Sequence, residues 1–156
     1  GQCARLLNPL SEEIKKYVFS ASQIHGDDTP VRVLSDAVRK TKVGCIWTYV
    51  FDGSPCGDKS PRAACYFYSP DRKGIRPLEH LNNFQGVLHA DAYAGYNKLY
   101  ESKDDDLPGI FEASCWAHTR RKFYEITVSN DNARIAEEAV EQIGKMCAGH
   151  GVRMEG

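Results

Sequence analysis

Two aspartates stand where runs of β-forming residues place them at strand ends. Asp27 lies in Ile24-His25-Gly26-Asp27-Asp28-Thr29-Pro30, and Asp91 closes the apolar run Gly86-Val87-Leu88-His89-Ala90. Two carboxylates held side by side repel one another unless a cation joins them. Hard oxygen ligands on a rigid sheet suit Mg2+ or Mn2+, which can activate a water or a 3′-hydroxyl and steady the leaving oxygen in phosphoryl transfer. By spacing alone the plainer reading is that each aspartate caps a strand or starts a turn.

Other residues could serve such a centre. Cys115 and His118 are three apart at a helix start and could share zinc, but a structural zinc site wants four ligands and the sequence shows no matching second pair. A core-facing Cys115, with His118 either bonded to an acid or phosphate or satisfied in the core, fits better. Arg72-Lys73 and Arg120-Arg121-Lys122 are short basic clusters able to contact phosphates, Arg in two-pronged fashion; the bland alternative is an ordinary wet surface. Tyr93, Tyr96, Tyr100, Trp116, Phe123 and Tyr124 could stack on unpaired bases, although at helical spacing beside strands most belong to the core. Glu137, Glu138 and Glu141 read as a solvated helix face.

The elements that must position these residues follow from pattern. Asn8 as cap and Pro9 in the first turn predict a helix start, with Leu10, Ile14, Tyr17 and Val18 on one face. Residues 23–34, 45–51 and 63–68 read as three strands whose connections are too short or turn-like for a well-formed crossover helix, which predicts an antiparallel meander. The turn 69–74 leads into Leu78, Leu81 and Phe84 at helical spacing, then the strand ending at Asp91. A short helix over 93–100, a solvated loop at 104–109, a strand over 110–114, and helices over 116–128 and about 133–146 follow. The sum is an α/β layout: a mixed five-stranded sheet, three antiparallel strands first, with helices on both faces.

Composition sets limits. At 156 residues, 42% hydrophobic and 26% charged, the chain has the make-up of one soluble globular domain. A formal net charge of -1 confines any DNA-binding surface to local basic clusters. Six cysteines without a Cys-x-x-Cys pair, and no apolar leader, fit reduced thiols in a cytoplasm. No stretch approaches the roughly 20 apolar residues of a membrane span. The chain ends without a clear stop signal and reads as part of something longer.

Four words, Gly26-Asp27-Asp28-Thr29-Pro30-Val31, Tyr68-Ser69-Pro70-Asp71-Arg72-Lys73-Gly74, His89-Ala90-Asp91-Ala92-Tyr93-Ala94-Gly95-Tyr96-Asn97 and Cys115-Trp116-Ala117-His118-Thr119-Arg120-Arg121-Lys122-Phe123, resemble in order and spacing the catalytic core of the insertion sequence 66 family of transposases. The resemblance runs over roughly residues 24–126. It implies a DDE-type transposase with a ribonuclease-H-like sheet, in which the first and fourth strands are central neighbours. Asp27 then matches the first catalytic acid and Asp91 the second, with Mg2+ or Mn2+ as cofactor, bound weakly by this chain. Asp28 stands where the family commonly has Glu, and strand alternation turns only one of the adjacent acids toward a metal. Asp28, Cys115 and His118 fall into supporting places, and Arg72, Lys73, Arg120, Arg121 and Lys122 into DNA contact.

The family's third acid lies in an Asn-Asn-x-x-Glu-Arg type word, and no such word occurs here. The chain therefore reads as a leading helix (1–20) followed, as the resemblance implies, by a ribonuclease-H-like core (21–128) and the start of a helical insertion (129–156), truncated before the last catalytic helix and inactive alone. The partners implied are transposon-end and target DNA and further copies of the chain in the active assembly, in a bacterial cytoplasm beside the nucleoid. Two rival readings remain: a non-catalytic DNA-binding or assembly module, and a self-contained ribonuclease-H-like nuclease. A third acid within reach of Asp27 and Asp91 would favour the latter.

Overall fold

A computed structural model describes residues 2–35, 40–54, 57–91, 93–101, 109–114, 116–130 and 133–149. The chain divides into two compact units, residues 1–52 with 61–113, and residues 53–60 with 114–156. The loop expected at 104–109 falls almost wholly outside the described residues, as does Cys115.

The first unit opens with helix α1 (Gln2–Phe19), followed by strands β1 (Gln23–Ser35), β2 (Lys40–Phe51) and β3 (Ala63–Ser69). Helix α2 (Ile75–His80) and strand β4 (Gly86–Ala90) come next. A 3-10 helix (Ala94–Tyr96) runs directly into helix α3 (Asn97–Tyr100), and strand β5 (Ile110–Ser114) completes the sheet. The five strands lie in the order β3-β2-β1-β4-β5. The pairs β1–β2 and β2–β3 are antiparallel and β1–β4 is parallel, so the sheet is mixed, as the sequence pattern predicts.

Alternation along the strands decides which residues make the core. Ile24 of β1, Trp47 and Tyr49 of β2 and Leu88 of β4 are fully or almost fully buried, together with Val18 of α1 and Tyr96. Phe19 at the end of α1 reaches the Tyr49, Phe67 and Phe84 rings at centroid distances of 5.6, 6.1 and 6.3 Å. These aromatic side chains supply much of the apolar area removed from water on folding. One expectation about α1 fails. The helix begins at Gln2 and runs through Pro9, and Leu10 is exposed. Proline removes one N–H bond and crowds the carbonyl four residues back. Here the helix continues on both sides of it, and the docking is done by the last turns, where Ile14, Val18 and Phe19 meet the core.

Strand lengths also differ from the pattern. β2 begins at Lys40 rather than Cys45, because β1 pairs with it over the whole stretch from His25↔Val50 to Ser35↔Lys40. By contrast β3 covers β2 only from Cys45 onward, and β4 covers β1 only over Gln23–His25. Residues 31–35 and 40–44 thus form a two-stranded arm that runs on past β3 and β4, with Leu34 and Val43 exposed.

The second unit is a helical hairpin of α4 (Trp116–Ser129) and α5 (Arg134–Gly149) with the segment 53–60. Ala133, Ala136 and Ile143 are its buried apolar residues, and Phe123 and Ile126 line the groove beside α5. Glu137, Glu138 and Glu141 are exposed, and Glu141 accepts from Lys145 at 2.6 Å, which is a solvated face of the expected kind. Among the described residues no helix is long and apolar enough to cross a membrane.

Candidate metal centre at the end of the central strands

The parallel register of β1 and β4 is set by Gly86. Its φ of +141° is one that L side chains rarely adopt, and a Cβ there would come within 2.3 Å of the Ser22 carbonyl oxygen. That close approach lets Val87 N–H donate to the Ser22 carbonyl at 2.9 Å. The pairs Gln23↔Val87, Ile24↔Leu88 and His25↔His89 follow. Gly26 continues the tight fit, since a Cβ there would touch Leu88 Cδ1 at 3.1 Å.

The paired stretch ends at His25↔His89, and Asp27 and Asp91 each stand two residues beyond it. Alternation gives them the same face: Ile24, Leu88 and Ala90 point into the core, while His25 and His89 stack on the opposite face with centroids 4.8 Å apart. Asp27 shares the His25 face and is exposed; Asp91 follows Ala90 and is half-buried. Asp91 Oδ1 accepts the Tyr93 backbone N–H at 3.2 Å, which orients the carboxylate in a turn closed on its own backbone. Burial lowers the His25 and His89 ring pKa values, in the latter case with help from the neighbouring His25, so both rings are neutral near pH 7.

Asp28 goes to the other face. Its side chain is 1% exposed, and Arg72 grips it with both prongs, through Nε and through Nη2 at 2.7 Å. Cys45 Sγ donates to Asp28 Oδ2 at 3.6 Å, and burial followed by the adjacent carboxylate pushes the thiol up to about 11. The Arg72 guanidinium lies 4.1 Å from the centre of the Tyr93 ring, and the Tyr93 hydroxyl donates to the Arg72 carbonyl. Alternation alone signalled this cluster: Asp28 falls in step with Ile24 and Gly26, and a carboxylate on a core face needs a cation. The roles of Cys45 and Tyr93 became visible only with the tertiary pairing.

The basic residues are dispersed. Lys73 Nζ lies 3.7 Å from Asp71, whose carboxylate Arg76 also takes, so the cations of the turn before α2 already face acids. Arg120, Arg121 and Lys122 lie on α4 in the second unit, Arg120 half-buried and the other two exposed. His118 Nδ1 is buried, with no hydrogen-bond partner among the described residues. The Tyr96 hydroxyl is likewise buried and unpartnered, and its pKa is raised by burial first and then by Asp28, Asp91 and Asp27. Two carboxylates on one face suit a hard divalent cation by donor chemistry. Among the described residues, however, no cluster of three or more His, Cys, Asp or Glu could hold a metal ion.

Comparison with known proteins agrees with the words quoted from the sequence. The model of the family described as "Transposase IS66 family" matches residues 1–151. Among curated proteins, the chain is 40% identical over 134 residues to "Uncharacterized protein y4hP" of Sinorhizobium fredii (strain NBRC 101917 / NGR234), covering 86% of this chain and 24% of that protein. It is 32% identical over 125 residues to "Uncharacterized protein y4qI" of the same strain, covering 79% and 23%. The chain thus spans about a quarter of the length of these relatives. No solved structure matches. With a family match over nearly the whole chain, the protein belongs to the IS66 family of transposases.

Proposed function

We propose that this chain is the central part of a DDE-type transposase built on a ribonuclease-H-like sheet, and that Asp27 and Asp91 are its first two metal ligands. One observation carries the reading: β1 and β4 are paired in parallel up to His25↔His89, two residues short of Asp27 and Asp91, while Asp28 is turned inward and neutralised by Arg72. The strand order β3-β2-β1-β4-β5, with three antiparallel strands first, supports it. Bound Mg2+ or Mn2+ would supply activation of a water or 3′-hydroxyl and stabilisation of the leaving oxygen. The substrate class is DNA, both transposon ends and target, and the active form is an assembly of several copies in the bacterial cytoplasm. The third acid belongs to the part of the relatives' length that this chain does not span.

A site with two protein carboxylates and no substrate phosphate leaves Mg2+ or Mn2+ most of its waters, so binding is weak. Titration of the chain with Mn2+, followed by electron paramagnetic resonance, is expected to show weak binding that Asp27→Asn and Asp91→Asn each abolish. Binding that survives both substitutions would falsify the ligand assignment.

A further inference from the structure

The ladder between β1 and β4 stops at His25↔His89. Asp27 and Asp91 both lie beyond it, where among the described residues no ladder pair holds one strand to the other. A metal site needs its ligands held to within about half an ångström, so something other than the sheet must fix their separation. A continuous set of contacts spans that gap. Asp28, next to Asp27 on β1, takes both prongs of Arg72. The guanidinium lies over the Tyr93 ring, and the Tyr93 hydroxyl bonds back to the Arg72 carbonyl. Tyr93 in turn donates its backbone N–H to Asp91.

We propose that Arg72 is a positioning residue: it clips the Asp27 end of β1 to the turn that orients Asp91, and so sets the spacing of the two metal ligands. This rests on the reading of Asp27 and Asp91 as a metal-binding pair. The guanidinium is suited to the task in a way an ammonium is not. Its planar fork meets both oxygens of a carboxylate while its face stacks on an aromatic ring, so one side chain fixes two elements at once. The fork's Nε and Nη2 are already engaged, and the residue serves the site from behind rather than by contacting DNA.

Arg72→Lys keeps the charge and removes the fork, which makes it the informative substitution. Two readouts on the 156-residue chain separate the possibilities: Mn2+ affinity by electron paramagnetic resonance, and hydrogen exchange of the Tyr93 amide against that of Ile24 in the core. Arg72→Lys is expected to weaken Mn2+ binding roughly tenfold, the scale on which residues supporting a metal ligand act. It should also speed Tyr93 exchange while leaving Ile24 unchanged. Lys98→Ala, which removes an exposed charge from α3, should alter neither. Unchanged Mn2+ affinity overturns the proposal even where Tyr93 exchange quickens, since Arg72 would then order the turn without setting the ligands. If wild-type Mn2+ binding proves independent of Asp27 and Asp91, the metal-pair reading fails by itself. The clip then stands on Tyr93 exchange alone, and unchanged exchange overturns it too.

Discussion

A carboxylate as deeply covered as that of Asp28 is held in place by its hydrogen bonds, and its neighbour Asp27, open to solvent, is under no such obligation. Stability should therefore respond to the two unequally. Asp28→Ala loses charge-assisted bonds to Arg72 that are partly exposed and so partly screened, a cost of about 1 to 2 kcal/mol. Asp27→Ala should fall within about 0.5 kcal/mol of wild type, as for an exposed residue with no structural duty. Urea unfolding checks both, and equal losses would mean that Asp27 has a structural partner. The sequence could show that two adjacent acids face opposite sides of the sheet, because alternation is a local rule. It could not show that Arg72, which reads as a DNA contact in a basic turn, spends its fork on Asp28. That contact joins residues 44 positions apart, and only the folded sheet brings them together.

At the scale of elements, α2 docks through its last residue. The His80 ring stacks on Phe67 at 4.3 Å and its Nδ1 pairs with the Tyr49 hydroxyl at 3.1 Å. Burial lowers its pKa from 6.5 to about 4. The native form is thus neutral, and between these values the unfolded chain binds the proton that the folded chain refuses. Stability is full above pH 6.5, falls as pH drops toward 4 and levels off below. His25 and His89 are shifted the same way and add to the slope. Thermal melts from pH 7 to pH 4 should show this loss, and His80→Gln should show a shallower one; a parallel curve would remove His80 as a cause. Most elements were legible, since β4, β5 and α4 are marked by short apolar runs or helical periodicity. The early start of α1 was not, because Asn8-Pro9 is a sound start signal that the fold overrides. Nor was the start of β2 at Lys40, where a polar stretch becomes a strand only through its pairing with β1.

For the whole molecule, catalysis and DNA binding should separate. In-line displacement needs both metal positions, and two carboxylates do not complete them. The 156-residue chain is expected to leave supercoiled plasmid un-nicked with Mg2+ or Mn2+, while binding DNA weakly and in a salt-sensitive manner. That binding should fall more on neutralising Arg121 and Lys122, which are exposed on α4, than on neutralising Lys73, which faces Asp71. Metal-dependent nicking that disappears in Asp27→Ala would show a third acid within the chain, with Glu137, Glu138 and Glu141 the first candidates.

The long arm of β1 and β2 carries one more implication. Past His25, among the described residues, β1 has a neighbour in the ladder on one side only, and Pro30 sits in that stretch. Proline lacks the N–H that a further strand would need, so it is tolerated in a sheet only along such a margin. An open row of backbone groups also invites another chain to zip onto it, a hazard that proteins curb with proline and charge. Pro30, with Arg32 two residues on and Lys42 opposite Val33, meets that need. The proline on this margin also keeps a stray strand from pairing over the stretch of β1 that follows Asp27.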